Sequence, residues 1–310
     1  MCIRDSLKQT IVFKETTTEA AVREKETVER FSEYLGRVGA PSSFKLPEPM
    51  FILPHEGKVV YVMKRARGSQ LGKAALSSAG RAETLQAYDR AVRFLAYYHA
   101  WKLGKSPLVQ FTWRMNSQLV RNALRFWRLA GFGVGTVPSL FDQLLAVIPH
   151  DFPAIPKKDA HPENWLVDES GNVVMLDLES VGRCPLLFEL VQLLDDYPLL
   201  PVDHNGWRER IAHCNVYLNQ LAGAGIELHQ YGTAVPDAYA AFVLLRCAFG
   251  LARNRARRGR VPSAAVRAGD ARETHYLAML EYLARAELKT VRSAAEAIRN
   301  SVLTANLARV

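Results

Sequence analysis

The stretch KKDAHPENWLVDESGNVVMLDLES, residues 157–180, constrains the fold more than any other part of the chain. Two short apolar runs, Trp165-Leu166-Val167 and Val173-Val174-Met175-Leu176, flank Asp168-Glu169-Ser170-Gly171-Asn172. A turn of that composition, with glycine near its end, predicts a β-hairpin. Antiparallel pairing then sets Asn164, just before the first strand, beside Asp177, just after the second. Asp159 lies on the loop leading in, stiffened by Pro162. An amide oxygen and a carboxylate converging at one end of a hairpin suit a hard, oxygen-seeking cation such as magnesium. The Asp159 carboxylate, upstream of both, is placed to orient or deprotonate a hydroxyl. Asp and Asn are common at turns, so Asp-x-x-x-x-Asn alone says little. The signal lies in the combination of Asp-x-His-Pro-x-Asn, a hairpin, and Asp-x-Glu at its exit.

Upstream, the chain changes character once. Residues 10–13 predict a strand leading into Lys14, followed by a helix with Thr16-x-x-Glu19 as a capping box and Gly36 as its stop. The apolar face of this helix carries Val28, Phe31 and Leu35, and helical steps put Glu24 on that same face. A carboxylate turned toward a core requires a partner, because an unpaired buried charge is strongly unfavourable. Lys14 is the nearest candidate; a rim position in contact with water is the alternative. Two further strands are expected over 51–53 and 59–63, joined by His55-Glu56-Gly57. Lys64-Arg65-Ala66-Arg67-Gly68 then breaks the strand pattern, and nearly everything after it has helical periodicity. We place a domain boundary there, with residues 1–66 forming a small sheet lobe and 67–310 a helical one. Helices are expected over about 116–129, 139–147, 186–195, 207–222, 236–255 and 271–300. The stripe Leu85, Tyr88, Val92, Leu95 and His99 makes His99 a core histidine rather than a ligand.

With 310 residues, 49% of them hydrophobic, the chain can bury a large core in two lobes. Cys2, Cys184, Cys214 and Cys247 lack paired spacing, which argues against a disulfide framework or zinc site and fits a reducing compartment. No signal peptide is read at the start. The longest apolar run, over 238–252, contains Arg246 and reads as too short and too charged to span a bilayer. A cytoplasmic protein without membrane contact is expected. The formal charge of +9 is concentrated in Arg246, Arg253, Arg255, Arg257, Arg258, Arg260 and Arg267. Such a run serves an anion site or simply ends a helix, where cations favour the negative pole of the dipole. No aromatics interleave it after Phe249, so no nucleic-acid partner is expected. Asp195, Asp196 and Asp203 are candidates for lining a local acidic pocket.

The order of strand-borne lysine, helix-borne glutamate, charged connector, helical lobe and Asp-x-x-x-x-Asn with Asp after a hairpin resembles the protein-kinase-like fold. Within it the chain is similar to the aminoglycoside phosphotransferase and choline kinase family. DAHPENWLVDESGNVVMLDLE is similar to the family's catalytic segment, VREKE at 22–26 to its glutamate-bearing helix, YVMKRARGSQL to its hinge, and YYHAW to the end of its first large-lobe helix. The resemblance covers about residues 10–195. It implies an α+β fold of two lobes, a small antiparallel sheet and a large, mostly helical part. It also implies phosphoryl transfer from ATP or GTP to the hydroxyl of a small molecule.

By this resemblance Asp159 acts on the acceptor hydroxyl, while Asn164 and Asp177 hold Mg2+ on the nucleotide. Lys14, fixed by Glu24, contacts the inner phosphates. Met63, the Lys64 carbonyl and the Ala66 amide meet the base. Glu179 assists the metal, and Glu189 stands where the family has a structural aspartate. Two departures bear on activity. Lys157 and Lys158 replace the family's His-Gly, and the usual histidine packs beneath the metal-binding loop, a contact lysine does not reproduce. Only 13 residues precede Lys14, too few for the family's two preceding strands and glycine-rich loop. A truncated start is therefore expected, with MCIRDS an artefact of the reading frame. A nucleotide-binding scaffold without turnover is the rival reading, and an anion- or nucleic-acid-binding module using residues 253–260 a third.

Overall fold

The computed structural model describes residues 11–77, 80–104, 109–110, 121, 124–125, 127–132, 137–149, 152–178, 182–226, 228–257 and 263–307. The helix expected over 116–129 falls largely outside them, as do Cys2, Glu179, Arg258 and Arg260.

The chain begins with β1 (Ile11–Thr16) and α1 (Thr18–Arg37), then β2 (Phe44–Lys45), β3 (Glu48–His55) and β4 (Lys58–Lys64). β1, β4 and β3 form an antiparallel sheet in that order. β3 and β4 meet at His55↔Lys58 across Glu56 and Gly57, both at positive φ. Two left-handed residues make the tight turn whose twist matches the flanking strands. α1 starts one residue later than the capping box implied: Thr17 is the N-cap and its hydroxyl accepts the Ala20 N–H at 3.3 Å. The helix passes Gly36 and ends at Arg37.

β5 (Ser69–Gln70) and a short α2 (Leu71–Ala75) lead into α3 (Arg81–Leu103). α3 runs through the main core with Tyr88, Val92, Phe94, Leu95 and Tyr98 fully buried. α1 joins the two parts of the molecule. Its Ala21 packs with Val59 and Tyr61 under the first sheet. About two to four turns on, Val28, Phe31 and Leu35 enter the main core, where Phe31 meets Phe94 at 5.9 Å and Trp101 at 5.1 Å between ring centroids. Burying one such ring contributes about 2–3 kcal/mol. That fixes α1, and Glu24 on it, against the helical body.

β6 (Val109–Gln110), α4 (Val137–Leu145) and β7 (Pro153–Pro156) precede the hairpin β8 (Trp165–Val167) and β9 (Val173–Met175). The hairpin is present in the expected register, Trp165↔Met175 to Val167↔Val173. It lies at the centre of a four-stranded sheet ordered β2-β9-β8-β5. β2 pairs with it in parallel through Phe44↔Val173, and β5 antiparallel through Ser69↔Val167. Phe44, upstream of the boundary expected at 66, therefore pairs with the hairpin downstream of it and stacks on Phe94 at 4.6 Å. Gly68 permits the close approach of β5: a Cβ there would stand 2.3 Å from the Val167 carbonyl oxygen.

β10 (Arg183–Pro185), which pairs with β7, is followed by α5 (Phe188–Asp195), α6 (His204–Gly223), α7 (Val235–Arg257), α8 (Ser263–Leu283) and α9 (Lys289–Leu307). The single helix expected over 271–300 is thus two. Its break needs neither glycine nor proline: the Arg285 and Ala286 amides close tight bonds to the Tyr282 and Leu283 carbonyls, and Arg292 reaches back to the Ala286 carbonyl at 3.2 Å. The apolar stretch around α7 is longer than expected. Residues 230–256 form a segment long and apolar enough to cross a membrane, yet 78% of its most apolar window is buried inside the fold. It is a core helix.

Two sets of charged residues differ from expectation. Arg246 does not belong to a surface run; it is buried on α7 and forms a two-pronged ion pair with Asp196. Nor are Asp195 and Asp196 open to a pocket, since both are buried in ion pairs. Asp195 is fully buried, with Arg210 Nε at 2.8 Å and the Tyr239 hydroxyl at 2.7 Å. Burial alone would raise its carboxyl, but Arg210, His275 and the Tyr239 hydroxyl together outweigh that and hold it at about 2. Asp203 caps α6, accepting the Gly206 N–H at 2.8 Å.

Candidate active site

Lys14 sits in the middle of β1, opposite Tyr61, on the face that α1 covers. Its ammonium lies 2.7 Å from Glu24 Oε2, the pairing the helical spacing implied, and also 2.7 Å from Asp177 Oδ1. The second contact was not legible in the sequence, since it joins residues 163 positions apart. Burial lowers the lysine, but the two carboxylates outweigh it, so its pKa is raised and it stays charged. Lys14 and Glu24 are 8% and 2% exposed, while Asp177 opens to the cleft.

The hairpin brings the remaining polar groups to the same place. The Leu176 amide donates to the Asn164 carbonyl at 2.9 Å, closing the end of the ladder. Asp177 follows at φ +53°, a left-handed conformation that Asp tolerates better than most residues. The Asn164 amide donates through Nδ2 to the Asp159 carbonyl at 2.9 Å. Its oxygen is left for the cleft.

That cleft has a volume of about 920 Å³, and Lys14, Glu24, Met63, Lys64, Ala66, Asn164 and Asp177 all line it. Asp159 is not among the residues that line it. Among the described residues no cluster of three or more His, Cys, Asp or Glu side chains could hold a metal. The donor set here is instead one amide and one carboxylate oxygen. This fits Mg2+, which commonly takes one or two protein carboxylates and completes its shell with phosphate and water oxygens.

Asp159 is itself held at φ +70°. Glu189 on α5 holds the strained loop: its carboxylate accepts the amides of Lys158 at 2.8 Å, Asp159, and Ala160 at 3.1 Å. His99 supports Glu189 in turn, with Nε2 2.8 Å from its Oε2 and Nδ1 2.6 Å from the Tyr217 hydroxyl. The core histidine read from the α3 stripe is present, and it backs the loop that carries Asp159.

The Asp159 side chain is 45% exposed. Oδ1 accepts from Gln192 Nε2 at 3.1 Å and has the Lys157 ammonium at 3.5 Å, while Oδ2 has the His161 ring at 3.8 Å. Burial pushes the carboxyl up, but Lys157, His161, the Gln192 hydrogen bond and Arg246 together bring it below its ordinary value. His161 is lowered by burial in spite of the carboxylates around it. Near neutral pH the cations beside Asp159 are therefore Lys157 and Arg246.

The lysine buried beneath the loop that carries Asp177 is not the one expected. Lys157 is half-exposed; Lys158 is 1% exposed and donates to the Leu176 carbonyl at 2.8 Å, one residue before Asp177. Its ammonium lies 5.0 Å from the centre of the Trp165 ring. Backbone direction decides this, since the Glu189 clamp turns the Lys158 side chain inward. Burial brings its pKa down to about 8.

The profile of the phosphotransferase enzyme family matches residues 4–204. Among solved structures the chain is similar to a "putative aminoglycoside phosphotransferase" of Ralstonia eutropha, with TM-score 0.55 and 15% identity over 95% of this chain and 88% of that one. It is also similar to the choline kinase of Cryptosporidium parvum, with TM-score 0.50 and 15% identity over 94% and 88% of the two chains. No curated protein sequence matches it. The bilobal α+β fold agrees with these neighbours, and with a family match spanning nearly two thirds of its length the chain belongs to the phosphotransferase enzyme family.

Proposed function

We propose that this phosphotransferase moves the terminal phosphoryl group of Mg-ATP or Mg-GTP to a hydroxyl of a small molecule. The observation that carries the reading is the double pairing of Lys14 with Glu24 and Asp177 in the cleft that Asn164 also lines. Asn164 and Asp177 would hold Mg2+, whose charge would offset that of the phosphates during transfer. Lys14, aimed by Glu24, contacts the inner phosphates, while Met63, the Lys64 carbonyl and the Ala66 amide receive the base. Asp159 accepts a hydrogen bond from the acceptor hydroxyl through its open oxygen. Its depressed pKa makes it a weak base, which suits a loose transition state that needs alignment more than early proton removal.

The acceptor we favour is a neutral or acidic hydroxylated molecule rather than a polycation. Asp195, Asp196 and Asp203 are all engaged within the protein, and Glu163 is held by Arg272 and by the Tyr197 hydroxyl at 2.5 Å. One observation favours the rival, a nucleotide-binding scaffold without turnover: the Lys157 ammonium beside Asp159 competes for the carboxylate the reaction uses. Phosphate transfer from labelled ATP and GTP to a panel of sugars, amino alcohols and hydroxy acids separates the two. Mg-nucleotide binding without transfer to any acceptor would favour the scaffold.

A further inference from the structure

We propose that Gln192 is a positioning residue that fixes the Asp159 carboxylate in its reactive orientation; this rests on the reading of Asp159 given above. Gln192 lies on α5 between Leu190, Val191, Leu193 and Leu194, all buried, and is itself 3% exposed. A leucine or methionine would suit that environment better. Among the described residues the amide makes one hydrogen bond, from Nε2 to Asp159 Oδ1 at 3.1 Å, and its own oxygen is buried without a donor. A half-satisfied buried amide destabilises a fold. Its position is explained by the one bond it makes. The amide's orientation follows as well, since turning it over would set oxygen against carboxylate.

The consequence is asymmetric. Oδ1 is tied to Gln192 and faces Lys157, whereas Oδ2 has no neighbour nearer than the His161 ring at 3.8 Å among the charge pairs of this loop. One oxygen is anchored on a rigid helix and the other is presented to the acceptor. The anchor also offsets Lys157, because a carboxylate already held at Oδ1 does not swing to meet the lysine. The same helix supplies Glu189, which holds the Asp159 amide, so α5 fixes both the backbone and the side chain of this residue.

The groups facing the Asp159 carboxyl are Lys157 and His161 on its own loop, Gln192 on α5 and Arg246 on α7, with the Glu189 carboxylate at its amide. Removing the Gln192 N–H takes away one group that stabilises the ionised form. The test uses Gln192→Met in the full chain, with three measurements: thermal midpoint, Mg-ATP hydrolysis with water as the acceptor, and the Asp159 carboxyl titration by 13C NMR. The expected results are an equal or higher midpoint, hydrolysis slowed roughly ten- to a hundredfold by misplacement of the carboxylate, Mg-ATP affinity retained, and an Asp159 titration moved to higher pH. Unchanged hydrolysis and titration, with Asp159→Asn inactive, would overturn the role of Gln192 and leave the reading of Asp159 intact. If Asp159→Asn hydrolyses ATP as the unaltered chain does, the reading of Asp159 fails first. A lower midpoint with an unmoved Asp159 titration would make Gln192 a packing residue only.

Discussion

Lys158 carries an unusual burden for a lysine, and removing its charge has a calculable effect. The drop in its pKa from 10.5 to about 8 corresponds to about 3 kcal/mol by which the fold disfavours the ammonium relative to the neutral amine. Below pH 8 both folded and unfolded chains carry the proton, so the full burden is present. Between pH 8 and 10.5 the folded protein releases a proton that the unfolded chain keeps, and stability rises with pH. Lys158→Met keeps the length and removes the charge, but strands the Leu176 carbonyl, at about 1–3 kcal/mol. At pH 7 the variant is therefore expected to be neutral or about 2 kcal/mol more stable than the unaltered chain. By pH 10 that advantage is gone and the variant is the less stable of the two, by about 1–2 kcal/mol. Urea denaturation of both proteins at pH 7 and pH 10 measures the difference. Comparing the pair removes the contributions of Lys14 and the buried tyrosines, whose raised values pull stability down as pH rises. A stability difference that does not change with pH would mean that the ammonium is not buried beneath the loop.

Three further outcomes are expected. Glu189→Gln leaves one oxygen for three loop amides and His99, so it should cost at least about 3 kcal/mol by denaturant titration and slow transfer as Asp159 leaves its left-handed conformation. Glu24→Gln should cost less, about 1–3 kcal/mol, because Lys14 keeps Asp177 and is not stranded. Calorimetry on Asp177→Ala should show loss of magnesium-dependent nucleotide binding, since only the neutral Asn164 amide is left to hold the metal.

The parts of the site set by short-range pattern were legible in the sequence. Two short apolar runs around a glycine turn gave the hairpin, and period-3.6 spacing turned Glu24 toward Lys14. What escaped depended on distant partners. β2 and β5 are two-residue strands with no pattern of their own, and they pair only because the hairpin offers them edges. Asp195, Asp196 and Arg246 read as surface charges because nothing local shows that each has a buried counterion. Nothing local marks Lys158 as buried, since lysine is usually exposed; the Glu189 carboxylate that holds its amide comes about thirty residues on. Gln192 gave no signal, since one amide in a buried helix looks like an interruption of its apolar face.

In the proposed mechanism Asp159 acts on the acceptor and not on the nucleotide. The direct test is Asp159→Asn, with Mg-nucleotide affinity measured by calorimetry and phosphoryl transfer measured on the same preparation. Transfer should fall by about 10²- to 10⁴-fold with affinity nearly unchanged. Undiminished transfer would contradict the account, and so would a loss of nucleotide affinity matching the loss of rate.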